Sequence, residues 1–411
     1  MARVLRSPVR VIADKIDMSN ISEITNQATS SGLGQSGAKS IAALIQCTNL
    51  GGMENVSYSL YEQLQLRGFN VTVSTPRPWG PGKSRLLGID PEAQAFNYQG
   101  KFGWRSFTTF NRRVQTISQA SEKVWVTGTC VSCLRAAHLT GKKILLSHHY
   151  HHFENSTSRL RWTAFYLAFG KRLDAITYPT EFTRNEALRI APWLKGKTHI
   201  VRYGFDRHYQ SEEQMLEAKR TARLTLGIPQ DVFAVGNGGW LIPRKRFDVF
   251  LRTAQQVSRQ FPNARFYICG GGSEENNLRN LARELGIAEK VYFQGWVKDM
   301  SPYYRAWDVL LFNSDFDTSP CTPLEAASYG CLCVASCRYG GLSEFLKHEK
   351  TGFLMNEHDH VELAGYVVRL AQNSDLALNI RRQAMERLEK EFNQENAVKF
   401  YEDYFGSSRI S

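Results

Sequence analysis

The chain has 411 residues, 42% hydrophobic and 22% charged, which suits a globular protein with more than one core. No apolar run reaches eighteen residues, and the N-terminus Met1-Ala-Arg-Val-Leu-Arg lacks the apolar stretch of a secretory signal, so a cytosolic protein without a membrane span is expected. The net charge of +12 is uneven: residues 1–205 hold 26 Lys and Arg against 12 Asp and Glu, whereas the rest hold 25 against 27.

Residues 1–38 are polar, without sustained periodicity, and read as an N-terminal extension. Ile41–Ile45 is an apolar run of strand length, followed by Asn49-Leu-Gly51-Gly52 and a helix whose Val56, Leu60 and Leu64 recur every fourth residue until Gly68 stops it. Asn70–Ser74, Lys123–Val126, Lys143–Leu146, Asp174–Thr177 and His199–Val201 are further strands, mostly separated by helical patterns. This alternation predicts a parallel, doubly wound sheet over residues 39–206. Residues 207–227 are charged, break the alternation and read as a connection carrying one helix.

A second alternation fills 228–390. Strands are expected at Val232–Val235, Ala264–Ile268, Val291–Phe293, Val309–Phe312 and Cys331–Val334, with a helix marked by Leu278, Leu281 and Leu285 and ended by Gly286. The tail over 391–411 carries a final helix, from Asn393 to Phe405. Two Rossmann-like α/β domains that face each other form a cleft lined by the loops at the carboxyl ends of their strands.

Four loops fall at such ends. Gly51-Gly52-Met53-Glu54 feeds a helix N-terminus, a setting for phosphate or a close-lying sugar, although a tight packing turn is the commoner explanation of a lone Gly-Gly. Gly238-Gly239-Trp240 leads to Arg244, Lys245 and Arg246, three permanent charges suited to a pyrophosphate. Gly270-Gly271-Gly272-Ser273 follows another strand, with Gln294-Gly295-Trp296-Val297 as an edge for a base.

The fourth loop is Asp317-Thr-Ser-Pro-Cys-Thr-Pro-Leu-Glu325, two carboxylates eight residues apart, joined by Gly340-Gly341 and Glu344. Backbone N–H groups and carboxylates together suit a ligand with both phosphates and hydroxyls, as in a nucleotide-sugar. Thr322-Pro323-Leu324-Glu325 also reads as a capping box, with Thr322 at the N-cap, Glu325 reaching back from N3 and Gly330 closing the helix.

His148-His149-Tyr150-His151-His152 follows a strand of the first domain. Contiguous histidines cannot all face one ion, so one imidazole, His148 or His149, is expected in the cleft and no metal is called for. Cys130-Val-Ser-Cys133 lacks a second pair at zinc-site spacing, and reduced thiols are expected throughout. Bases and aromatics interleave at Lys101–Phe107, Phe110–Arg113 and Arg159–Arg172. Such stretches suit an anionic membrane surface, an anionic acceptor or nucleic acid, or else a core stripe beneath a solvated face.

Taken in order and spacing, Gly51-Gly52-Met53-Glu54, Val201–Asp206, Lys245, Gly295, Asp317-x7-Glu325 and Gly340-Gly341-x-x-Glu344 make the chain resemble the retaining glycosyltransferases of family 4, over roughly residues 40–405. The resemblance implies the GT-B fold and transfer of a sugar from a UDP- or GDP-sugar, without a cofactor or metal. It implies that Asp317 approaches the donor sugar, Glu325 holds the nucleotide ribose, Lys245 binds the pyrophosphate and His148 or His149 lies on the donor side. Trp240 stands where the family has an arginine, leaving Arg244 or Arg246 to substitute, and Asp317 is one methylene shorter than the family's Glu. Glycan, lipid-linked or anionic acceptors and the inner membrane face are the implied partners. A nucleotide-sugar 2-epimerase of the same fold, or a non-catalytic nucleic-acid-binding protein, are the alternatives.

Overall fold

A computed structural model describes residues 39–49, 51–96, 104–149 and 155–407. The N-terminal extension, Lys101–Gly103 and Tyr150–His152 of the sequence reading lie outside the described residues.

The first sheet comprises β1 (Ser40–Ile45), β2 (Asn70–Thr75), β3 (Gln94–Ala95), β4 (Lys123–Thr127), β5 (Lys143–Ser147), β6 (Ala175–Tyr178) and β7 (Thr198–Ile200). Its order is β3-β2-β1-β4-β5-β6-β7 and every pairing is parallel. The second comprises β8 (Phe233–Gly238), β9 (Ala264–Cys269), β10 (Val291–Gly295), β11 (Val309–Asp317), β12 (Leu332–Gly340) and β13 (Phe353–Met355), ordered β10-β9-β8-β11-β12-β13 and again parallel. The strands expected from the sequence are all present. β3 and β13, of two and three residues, were not expected.

Parallel strands are buried on both faces, which is why β1 and β4 read as unbroken apolar runs. Each sheet is covered by two apolar layers, one per face. Gly236 of β8 lets Trp307 lie flat against the strand, since a Cβ there would fall 2.0 Å from the indole.

The chain order reverses direction between β1 and β4 in one sheet and between β8 and β11 in the other. Crevices open at the carboxyl ends of the strands at such points. The Gly51-Gly52 loop leaves β1, while Lys245 follows β8 and Asp317 ends β11. Sheet topology therefore places the predicted ligand loops at the switch point of their own sheet.

The last helix, Gln394–Gly406, returns to the first sheet. Tyr401 stacks on Trp125 of β4 with ring centroids 4.4 Å apart, and its hydroxyl lies 3.1 Å from Ser147 and 3.2 Å from Thr177. Arg67, at the end of the helix Gly52–Leu66, pairs with Glu395 and Glu402 of that helix. A Tyr401→Ala change removes a fully buried ring together with its hydroxyl contacts to Ser147 and Thr177, so the unfolding free energy should fall by about 3–5 kcal/mol in denaturant titration. A loss under 1 kcal/mol would mean that the returning helix is dispensable to the first sheet.

Candidate active site

The short 3-10 turn Pro243–Lys245 follows β8 and aims Lys245 across the sheet to β11. The Lys245 ammonium donates to an Asp317 carboxylate oxygen at 2.5 Å and lies 5.1 Å from the centroid of the Phe312 ring. Arg244 is 3.7 Å from the same oxygen and donates to the Phe316 carbonyl. Two cations thus converge on one largely buried carboxylate, leaving net positive charge at the mouth of the second sheet.

Asp317 is fixed by its backbone as much as by its partners. β11 pairs with β12 up to Asp317 and Gly340, and a Cβ at Gly340 would fall 1.8 Å from the Asp317 carbonyl oxygen. Gly340 has φ 147°, a conformation that a side chain disfavours. Gly341 is pressed in the same way against the Thr318 carbonyl, at 2.2 Å.

Glu325 lies in the helix Cys321–Ser328. The expected capping box is corrected here: the helix begins two residues early, Pro320 rather than Thr322 occupies the N-cap, and no side chain caps it. Glu325 falls in the second turn, beyond reach of the N-terminus. Its carboxylate instead accepts from the Tyr304 hydroxyl at 2.8 Å. Burial raises the Glu325 pKa, and the Tyr304 hydrogen bond opposes that rise. Hydroxyl donors of a ligand would favour the ionised form in the same manner.

Loops at the carboxyl ends of the two sheets meet at this point. Gly51 is the N-cap of the helix Gly52–Leu66, and a Cβ on Gly52 would lie 2.8 Å from the Cys321 sulfur. The glycines of the first sheet therefore abut the loop between Asp317 and Glu325. The Thr318 hydroxyl donates to the His149 carbonyl at 3.0 Å, and the Thr180 hydroxyl donates to the Thr318 carbonyl at 3.2 Å. Glu344 accepts from the Phe182 N–H at 2.9 Å, and its other oxygen faces Arg202 at 3.6 Å. It serves as a clasp between the two layers.

Not every predicted residue joins this group. Arg246 turns back to Asp248, at 2.9 Å, and to Asp315, at 3.2 Å; the Asp248 contact contributes most to raising its pKa. That correction leaves Arg244 as the arginine beside Lys245. His148 is enclosed, with its Nδ1 2.9 Å from the Tyr166 hydroxyl and its ring beside Trp162 and Tyr178. A fully buried ring is not placed to touch a ligand in the cleft.

His149 sits at the interdomain contact instead. Its Nδ1 is 2.7 Å from the Tyr203 hydroxyl, and its Nε2 is buried without a partner. Burial, and then the neighbouring His148, lower its pKa to about 3, so the imidazole is neutral near pH 7.

After β8 and β9, Gly239 (φ 147°) and Gly270 (φ 148°) bring two backbone turns together. Gly270 packs on the Gly239 carbonyl, and a Cβ on Gly271 would fall 2.7 Å from the Trp296 indole nitrogen. Trp240 and Trp296 are both more than half exposed and meet edge to face at 4.5 Å. Val297 packs against an apolar layer of the second sheet. Sequence reasoning missed Tyr304 as the partner of Glu325 and Thr318 as the link to His149. Neither position carries a motif that marks it.

With this geometry in place, the comparisons with known proteins agree. Residues 50–209 match the model of Glycosyltransferase Family 4, and residues 219–387 match that of Glycosyl transferases group 1. The chain belongs to the family 4 type of GT-B glycosyltransferases.

An uncharacterized glycosyltransferase of Haemophilus influenzae is 26% identical over 80% of this chain and 89% of its own length. The lipopolysaccharide core biosynthesis glycosyltransferase LpsD of Rhizobium meliloti is 28% identical over 46% of this chain and 53% of its own. Anabaena HepE in complex with UDP-glucose shares the fold, with a TM-score of 0.76 at 17% identity over 90% of this chain and 100% of that one.

The neutral state of His149 has a measurable consequence. A histidine with a depressed folded pKa binds fewer protons folded than unfolded between pH 3 and 6.5, so stability must fall as pH drops through that window. The contribution reaches at most about 1.4 kcal/mol per pH unit. Denaturant titrations at several pH values should give His149→Asn a shallower acid slope than the wild type. Equal slopes would show that His149 titrates normally.

Proposed function

We propose that the chain transfers a glycosyl group from a nucleoside-diphosphate sugar to an acceptor hydroxyl, with retention at the anomeric carbon and without a metal ion. The observation that carries this reading is the Lys245–Asp317 pair at the switch point of the second sheet, set against the Gly51-Gly52 loop of the first.

In the proposed reaction the bond between the anomeric carbon and the diphosphate oxygen breaks as the acceptor oxygen bonds to that carbon. Negative charge builds on the leaving diphosphate, where Lys245 and Arg244 stabilise it. The acceptor proton passes to the departing phosphate oxygen on the same face, so no side-chain base is required. Asp317 holds the ammonium in place and offers its free oxygen to a sugar hydroxyl. Glu325 accepts from the ribose, with Tyr304 orienting it. Gly271, Trp296 and Val297 border the base, and Gly340 and Gly341 bring backbone close to the phosphates.

UDP is the favoured nucleotide over GDP, on the strength of the fold shared with HepE bound to UDP-glucose. An anionic or lipid-linked saccharide is the proposed acceptor. The first layer supports it: Arg112, Arg159, Arg161, Lys171 and Arg172 are exposed, as are Leu160 and Leu167 on the helix Ser156–Phe169. Such a face also suits peripheral contact with an anionic membrane surface. Among the described residues no helix is long and apolar enough to cross a membrane. The likeness to LpsD supports a place in lipopolysaccharide or related glycan assembly.

The test is turnover of UDP- and GDP-sugars with the anomeric configuration of the product read by NMR. Lys245→Ala should lower turnover by roughly 100- to 1000-fold, the usual cost of removing one donor from a developing anion. Wild-type rates in that variant, or an inverted product, would contradict the proposed mechanism.

A further inference from the structure

All eight cysteines are free thiols, and two of them stand together at the switch point of the first sheet. Cys130 is the N-cap of the helix Val131–Leu139, which follows β4, and Cys133 lies in its first turn. Cys130 is partly exposed, whereas Cys133 beneath it is fully buried. N-cap and third-residue positions share one face of a first turn, close enough for a disulfide with little change in the backbone. The pairing of an accessible thiol at a helix N-terminus with a buried one three residues on separates an attacking sulfur from a resolving one.

The surroundings sharpen that separation. The Cys133 thiol, then the backbone N–H groups of Cys133 and Ser132, and at longer range Arg77 hold the Cys130 pKa down at about 6, against the opposing effect of burial. Burial and the adjacent Cys130 push Cys133 well up. Cys47, at the end of β1, is the third thiol of the neighbourhood; it donates to a Glu54 carboxylate oxygen at 3.0 Å, and burial pushes it up to about 12. Cys47 is thereby kept as a thiol. Only Cys130 is set up as a nucleophile.

We propose that Cys130 and Cys133 form a redox-active dithiol on the acceptor-side edge of the cleft, which a small-molecule disulfide oxidises to an intramolecular bond. The Cys130 thiolate attacks one sulfur of the oxidant, forms a mixed disulfide and releases the first thiolate. Cys133 then loses its proton and attacks the Cys130 sulfur, and the second oxidant thiol departs. Two protein thiols and one disulfide give one protein disulfide and two small thiols, so atoms and electrons balance. The pair lies on the strand edge that also carries Gly51, Gly52 and His149, but its chemistry does not depend on the donor reading.

The experiment uses the full chain and glutathione disulfide, with intact-mass and peptide mass spectrometry. The wild type should lose two hydrogens, keep no glutathione, and show one Cys130–Cys133 linkage. Cys133→Ser should retain one glutathione on Cys130, because the resolving thiol is gone. Native alkylation by iodoacetamide at pH 6 should label Cys130 roughly tenfold faster than an ordinary thiol, its larger thiolate fraction outweighing its lower nucleophilicity. Cys130 left free in excess glutathione disulfide, a wild-type adduct that never resolves, or a linkage to Cys47 would each overturn the proposal. These readouts need no turnover, so they stand apart from any failure of the glycosyltransfer assay.

Discussion

The ion pair between Lys245 and Asp317 is the interaction on which the rest of the site depends. It joins the turn after β8 to the end of β11, the two strands that flank the switch point of the second sheet. A carboxylate this far from water is costly to leave unpaired, and an ammonium beside it satisfies that demand. The same ammonium is what a diphosphate would seek. The pair therefore fixes in one place the ammonium and the carboxylate that a ligand would use. Arg244, 3.7 Å from the same carboxylate, leaves the region with more positive than negative charge.

The two sheets are tied at their carboxyl edges by a few well-aligned contacts: Thr318 to the His149 carbonyl, Thr180 to the Thr318 carbonyl, Glu344 to the Phe182 N–H, and Tyr339 to Glu186. Thr318 takes part in two of them and directly follows Asp317. The contact between the layers thus lies one peptide unit from the carboxylate. The glycines enforce the same coupling by sterics. Gly52 meets Cys321, and Gly341 meets Thr318 and Thr180, with no room for a side chain at either position.

Much of this was legible before any coordinates. The alternation of apolar runs and helical periods placed the long strands of both sheets, because parallel strands covered on two faces must be continuously hydrophobic. Lys245, Asp317, Gly340 and Gly341 were legible because loops at strand ends carry few other reasons for glycine and charge. What failed did so for local reasons. The capping box was plausible in sequence, but a helix that starts at Cys321 carries Glu325 past its first turn. Arg244 and Arg246 are equivalent in sequence, yet the left-handed backbone at Arg246 turns it towards Asp248 and Asp315. His148 and His149 are adjacent, and only the fold decides that one faces Tyr166 and the other Tyr203. Long-range partners such as Tyr304 carry no sequence signal at all.

The central claim is that Lys245 holds the diphosphate of a donor nucleotide. Calorimetric titration of UDP and UMP against the wild type and Lys245→Met tests it without reference to an acceptor. A charged hydrogen bond is worth about 1.5–3 kcal/mol, so UDP should bind at least about tenfold tighter than UMP to the wild type, and Lys245→Met should erase most of that difference. A variant that keeps the full preference for UDP would contradict the account.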